Sequence, residues 1–172
     1  KDIEDIKSAF RELAMKVPAD GFVVCNPSDE NIGDVIKDIK AKVLDYTDFL
    51  NPVTKLRIPG IHNKHNAAAA FTVASILATS YTKANLALGE FSGTWRRFEY
   101  KGKLSNGPQI YDDYAHHPAE IKATLLGFRE LYPTSEGWAI TVAFQPHLFS
   151  RTKLLLPDFA KSFKEADSVL IL

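Results

Sequence analysis

Apolar residues open the chain at three- and four-residue steps. Ile3, Ile6, Phe10, Leu13 and Val17 trace one stripe of an amphipathic helix. The turn "PADG" follows, and then "FVVCN", whose short, apolar, β-branched character predicts a buried strand. Ser28 stands where a helix N-cap is expected, ahead of "DENIGDVIKDIK". "KVLDY" reads as a second strand, and "NPVTKLRIPG" as a connection with a short strand. In "HNKHNAAAAFTVASILA" the alanines combine high helix propensity with small volume, which predicts a buried helix. Its first turn carries His62, Asn63, His65 and Asn66, and "TKANLALGEF" predicts one more helix.

The second half repeats the alternation. "TWRRFEYKG" and "QIYDDY" read as strands around the turn "LSNGPQ". Pro118 suits the first position of a helix, and Ile121, Leu125, Phe128 and Leu131 share one face of it. "WAITVAFQ", "LLLPDFAKSFKEA" and "SVLIL" complete a strand–helix–strand run. Such alternation predicts an α/β fold with a mostly parallel sheet. Gly93 is the expected boundary between two domains, residues 1–93 and 94–172.

Composition narrows the function classes. Twenty-one basic residues balance twenty-one acidic ones in 172, so no charge excess points to nucleic acid or an anionic membrane as partner. No apolar run is long enough for a membrane-spanning helix, and the acidic, amphipathic start does not resemble a signal peptide. The single cysteine, Cys25, cannot form an intrachain disulfide, which suits a reducing compartment. The first residue lies within a helical pattern and the last within an apolar strand, so a piece of a longer protein is expected.

The five histidines fall in three short stretches, "HNKH", "AHHP" and "QPH", each beside an expected helix start. Ligands of α/β sheets bind where strand ends meet helix N-termini. Asn63 and Asn66, three apart, could offer paired donors and acceptors to an adenine edge; ordinary Asn capping is the alternative. Arg96 and Arg97, if in a strand, point to opposite faces, one free for phosphate or carboxylate and one for a structural ion pair. "DDYAHHP" lacks zinc spacings, yet its Asp suits a ribose hydroxyl, and its histidines either serve anionic oxygens or merely cap a helix. Arg151, beside His147 and Ser150, could hold a carboxylate bidentately, or be a surface arginine. No G-x-x-x-x-G-K-[ST] phosphate loop occurs in the sequence.

Four stretches in order, "PGIHNKHNAAAA", "FSGTWRRFEY", "YDDYAHHPAEIKATL" and "FQPHLFSRTK", resemble the Mur ligases over nearly the whole chain. The resemblance implies the later part of a P-loop-type central ATPase domain (1–93) followed by the first part of a Rossmann-like C-terminal domain (94–172). It implies ATP-dependent joining of an amino acid to a UDP-muramoyl sugar through an acyl phosphate, in the bacterial cytoplasm, for peptidoglycan synthesis. Tyr114 points to the members that add L-alanine to UDP-N-acetylmuramate. Members that add a tripeptide usually carry phenylalanine there, and a non-catalytic nucleotide-binding module is the remaining alternative. By the same resemblance His62, Asn63 and Asn66 meet adenine, Asp113 the ribose, and Arg97, or alternatively Arg96, the ATP phosphates. Tyr114, His116 and His117 line the reaction centre, and Arg151 with His147 holds the alanine carboxylate. The phosphate loop and the Mg2+ ligands are expected upstream of Lys1, so the chain alone is expected to be inactive. Leu148 departs from members that carry a second arginine there.

Overall fold

The first helix, α1 (Ile3–Met15), starts at an aspartate capping box: Asp2 Oδ1 accepts from Asp5 N at 3.0 Å, and Asp5 Oδ2 from Asp2 N at 3.3 Å. The structure is a computed structural model and describes residues 2–51 and 56–172. Contacts divide it into two compact units, Lys1–Lys55 with Lys64–Gly89, and Leu56–Asn63 with Glu90–Leu172.

In the first unit, β1 (Phe22–Cys25) pairs in parallel with β2 (Lys42–Asp45), from Phe22↔Lys42 to Cys25↔Asp45. Between them lies α2 (Glu30–Ile36). Its cap is Asp29, which accepts from Asn31 N and Ile32 N, and not Ser28, whose N–H is taken by Asn26 Oδ1 at 3.1 Å. The aspartate carboxylate is the stronger acceptor, and it sits one residue later. The helix stops at Ile36, short of the expected Lys40, and Asp38 turns left-handed (φ 67°). Asp34 ties α2 to α1 through Lys7 Nζ at 2.9 Å and Arg11 Nη2 at 2.7 Å. The apolar stripe of α1 is formed as expected, but Ile3, Ile6, Phe10 and Leu13 stay 48–62% exposed.

Helix α3 (Ile61–Ile76) buries one face, Ala67, Ala68, Phe71 and Thr72, and leaves Asn66 and Ala70 exposed. Phe71 meets Phe49 and Tyr81 at ring distances of 5.1 and 5.2 Å. Buried Thr72 returns its hydroxyl to Ala68 O at 2.9 Å, so its burial leaves no unmet donor. Helix α4 (Tyr81–Glu90) follows. Part of the short strand expected before α3 lies outside the described residues, and 56–60 are not a strand.

The second unit starts with an antiparallel hairpin, β3 (Glu99–Lys103) and β4 (Gln109–Asp112), an addition to the parallel pairing expected from the alternation. A bulge sits between Tyr100 and Gly102. Helix α5 (Pro118–Leu131), β5 (Thr141–Phe144), α6 (Phe149–Leu154), α7 (Leu156–Ser162) and β6 (Ser168–Ile171) then form a crossover. β5 and β6 pair in parallel, Thr141↔Ser168 to Phe144↔Ile171. Ile121, Leu125, Phe144 and Phe159 make the core, with Ala115 and Leu155 packed against it. Leu131, expected on the inner face, is exposed, while Phe128 turns outward from this core to stack on Phe98 at 4.0 Å. Tyr111 and Tyr132 extend that aromatic row to Trp138. Arg129 closes the far end: Nη2 reaches Asp167 Oδ2 at 2.6 Å and Nε donates to Glu165 O at 2.9 Å.

The segment 56–63 and α5 touch backbone to backbone, because Gly60 meets Gly127. A Cβ on Gly127 would lie 3.5 Å from Gly60, ordinary contact, whereas one on Gly60 would lie 2.7 Å from His62 Cε1 and add side-chain strain at φ +97°. Glu130 Oε2 accepts from Gly60 N at 3.0 Å. This contact draws 56–63 into the second unit, so the division differs from a single cut at Gly93. Gly60→Ala is expected to destabilise the protein by about 1–3 kcal/mol, while Gly127→Ala stays within about 1 kcal/mol; denaturant unfolding of both variants checks the contrast.

Candidate functional site

The arginine pair lies in a tight turn and not in a strand. Gly93 (φ +97°) enters it, Arg97 N donates to Thr94 O at 3.0 Å, and Arg96 and Phe98 are both left-handed (φ 54° and 52°). Strand geometry begins only at Glu99, whose carboxylate accepts from Arg96 N at 2.9 Å and stabilises the turn. The two arginines part company all the same. Arg96 Nε pairs with Asp112 Oδ2 at 3.1 Å, and its guanidinium lies 4.9 Å from the Tyr114 ring centre. Arg97 is exposed and makes no ion pair among the described residues.

Asp113 grips this turn. Its Oδ2 accepts from Phe98 N at 2.8 Å; its Oδ1 accepts from Ala115 N at 2.8 Å and Thr124 Oγ1 at 3.3 Å. A carboxylate has about four lone-pair sites, so one stays open for a hydroxyl. The sequence reading gave Asp113 a ligand role alone; it is also the clasp between the turn and the start of α5.

His117 is the N-cap of α5. Its Nδ1 accepts from Ala119 N at 3.3 Å, and Glu120 Oε2 accepts from His116 N at 3.0 Å and His117 N at 3.2 Å. The capping alternative therefore holds for His117, which is exposed. His116 Nδ1 lies 2.8 Å from Tyr114 O and 3.6 Å from Glu120 Oε2. A carbonyl only accepts, so His116 carries its proton on Nδ1 and offers a lone pair at Nε2. His117, accepting at Nδ1, carries its proton on Nε2. Two adjacent imidazoles thus present opposite hydrogen-bonding faces. Burial alone would raise the Glu120 carboxyl, but the backbone bonds of His116 and His117, the field of His116 when protonated and that of Arg97 outweigh it and hold the group below its ordinary value.

His62 is half-buried at the start of α3. Burial lowers its pKa from the ordinary value; Asp113 and Glu130 pull it up, and Arg97 lowers it further. A neutral ring results near pH 7, and its buried Nδ1 has no partner in the structure. Asn63 Nδ2 donates to Pro59 O at 2.6 Å, leaving Oδ1 and the second amide hydrogen. Asn66 follows one turn on and is exposed; His65 Nδ1 instead meets Tyr46 OH at 3.3 Å.

At the end of β5, Arg151 Nη2 donates to His147 O at 2.9 Å, while its buried Nε has no partner. His147 is exposed, and Leu148 is left-handed (φ 68°) and exposed ahead of α6. Ala115 and Phe144 share the core of the second unit, so this core fixes both the loop carrying His116 and the strand end that leads to His147. Among the described residues no cluster of three His, Cys, Asp or Glu side chains can hold a metal ion. Sequence reasoning missed Glu120 and Glu130. The spacing of Glu120, third after the cap, is a capping-box signal that could have found the former; Glu130 acts through a backbone approach that no local pattern encodes.

Residues 96–172 match the family model described as Mur ligase, glutamate ligase domain. UDP-N-acetylmuramate–L-alanine ligases of Caldicellulosiruptor bescii and Caldanaerobacter subterraneus subsp. tengcongensis are 40% and 41% identical, each over 99% of this chain and 42% of their own length. Residues 96–172 thus carry the match to the Mur ligase glutamate ligase domain, and the chain as a whole is similar to Mur ligases. It spans under half the length of these relatives. The solved structure of UDP-N-acetylmuramate-alanine ligase MurC from Thermotoga maritima matches 99% of this chain and 41% of its own, with 25% identity and a TM-score of 0.70. A murein peptide ligase from Psychrobacter arcticus shares the fold, with a TM-score of 0.66 at 20% identity.

Glu120→Ala is expected to cost about 0.3–1.5 kcal/mol through the lost capping box. Because the folded carboxyl is depressed, its contribution is present above the unfolded pKa and is lost as pH falls through the folded one. Chemical denaturation from pH 7 to pH 3 should therefore show the gap between wild type and variant closing on the acid side.

Proposed function

We propose that the chain is part of an ATP-dependent ligase that joins L-alanine to UDP-N-acetylmuramate through an acyl phosphate. The observation that carries the reading is the 40% identity to named ligases over 99% of the chain, with "DDYAHHP" folded as the junction of β4 and α5. Tyr114, by the resemblance the residue of the alanine-adding members, favours alanine over a tripeptide; its ring lies against the Arg96 guanidinium. Domain limits of 1–93 and 94–172 follow from the same family likeness.

The site suits a nucleotide in its donor set. His62 has a neutral ring with an orphaned Nδ1, Asn63 and Asn66 present amide edges one turn apart, and Asp113 keeps one acceptor site open. By the family likeness His62, Asn63 and Asn66 would each meet adenine, and Asp113 the ribose. Arg97, unpaired, would meet the phosphates, and the paired Arg96 would not. ATP, when bound, supplies the phosphoryl group that activates the muramoyl carboxylate. The described residues do not fit a magnesium site, so no step is assigned to that ion in this chain. Arg151, with its Nε free of partners, would bind the alanine carboxylate beside His147. Tyr114, His116 and His117 would face the reacting groups. A cytoplasmic setting follows from such substrates.

The test is turnover by the full-length gene product with ATP, UDP-N-acetylmuramate and L-alanine, and with a tripeptide in place of alanine. Preference for alanine supports the reading; preference for tripeptide, or ATP binding without turnover, overturns it. The 172-residue chain alone is expected to release no phosphate above background. Arg151→Ala is expected to raise KM for L-alanine about 10–100-fold, the scale of one lost charge-assisted hydrogen bond, with KM for ATP little changed.

A further inference from the structure

We infer that Glu120 is a positioning residue that holds His116 with its proton on Nδ1 and its lone pair on Nε2, and that Nε2 takes the proton released as the incoming amine forms the amide bond. The inference rests on the ligase reading above. Tyr114 O, 2.8 Å from His116 Nδ1, can only accept, so the proton is on Nδ1 and the basic position is Nε2. Glu120 Oε2 lies 3.6 Å from the same Nδ1 and is itself anchored by the backbone N–H groups of His116 and His117. An imidazolium formed at His116 would therefore face a fixed carboxylate, the arrangement of a base oriented by a third group. His117 cannot play this part through Nε2, because its Nδ1 accepts from Ala119 N and its Nε2 holds the proton.

The remaining groups around the pair are accounted for. The Tyr114 ring lies 4.9 Å from the His116 ring, edge to face, and Arg96 lies on the Tyr114 ring. Arg97 acts on Glu120 through its field, as does His116 once protonated. Ala115, next to His116, packs against the core that also holds Phe144, three residues before His147.

The step balances as follows. The amine nitrogen bonds to the acyl carbon of the acyl phosphate, and the carbonyl electrons move to oxygen. One N–H proton passes to His116 Nε2. The carbonyl reforms, the bond to phosphate oxygen breaks, and inorganic phosphate leaves with the electron pair. The imidazolium then returns its proton to solvent.

The experiment uses the full-length enzyme, unsubstituted and as His116→Gln and Glu120→Gln. Glutamine at 120 keeps an oxygen for the two backbone N–H groups and loses only the charge. Hydroxylamine trapping reads acyl phosphate, L-alanine turnover reads amide formation, and 15N NMR of labelled histidine reads the tautomer. Expected are Nδ1–H at His116 in the unsubstituted enzyme, retained trapping in His116→Gln, and a fall in kcat with L-alanine of about 10²–10⁴-fold. In Glu120→Gln the acidic limb of the kcat profile should move to lower pH, with melting little changed. Equal loss of trapping and amidation in His116→Gln, unchanged kcat, an unmoved limb, or Nε2–H at His116 overturns the inference. An unsubstituted enzyme without turnover overturns the ligase reading instead, and the inference with it.

Discussion

The carboxylate of Asp113 organises the second unit. Three donors converge on it, from the 94–98 turn, the β4–α5 loop and the first half of α5. The turn and the loop are too irregular to satisfy their own backbone there, and a buried or half-buried N–H without a partner costs about 1–3 kcal/mol. One side chain removes that cost for Phe98 and Ala115 together. It thereby sets where Arg97 projects and where the histidine pair begins. The stacking of Phe98 on Phe128 fixes the same turn from its apolar side. Polar clasp and aromatic stack act on one residue, through its N–H and its ring.

Backbone strain gathers at the same places. Arg96, Phe98 and Leu148 are left-handed without being glycine, and they lie in the two loops that carry Arg97 and Arg151. Each such residue costs on the order of 1–3 kcal/mol. The surrounding contacts supply the compensation: Glu99 and Asp112 for Arg96, Asp113 for Phe98. Leu148 has only the helix that follows it, through Thr152 N and Oγ1 on its carbonyl. The paired arginine and the unpaired one differ in the same sense. Arg96 holds the turn together through its side chain, while the Arg97 guanidinium makes no ion pair among the described residues.

Much of the fold was legible because its elements carry strong local periodicity. The strands at Phe22, Lys42, Gln109, Thr141 and Ser168 and the helices at Ile3, Ile61, Tyr81 and Pro118 follow from apolar spacing and from Pro118 at a first turn. The reading failed where side chains override propensity. "TWRRF" has strand-forming residues, yet Gly93, Glu99 and Asp113 bend it into a turn. Ser28 lost its cap to a neighbouring carboxylate. The candidate site was legible as residue types in order, since motifs are local. Its internal wiring was not, because Glu120, Glu130 and the contact of Gly60 with Gly127 depend on tertiary approach.

The left-handed start of α6 limits which side chains can stand there. At φ 68° the steric cost of Leu148 arises from its Cβ, and any unbranched side chain bears a similar one. Exchange of leucine for another unbranched side chain, arginine included, thus alters the chemistry at the mouth of the loop without asking the main chain to change. Valine, isoleucine and threonine are barred, and glycine would relax the turn. At position 148 the main chain therefore restricts side-chain branching and leaves polarity open, ahead of the helix that carries Arg151.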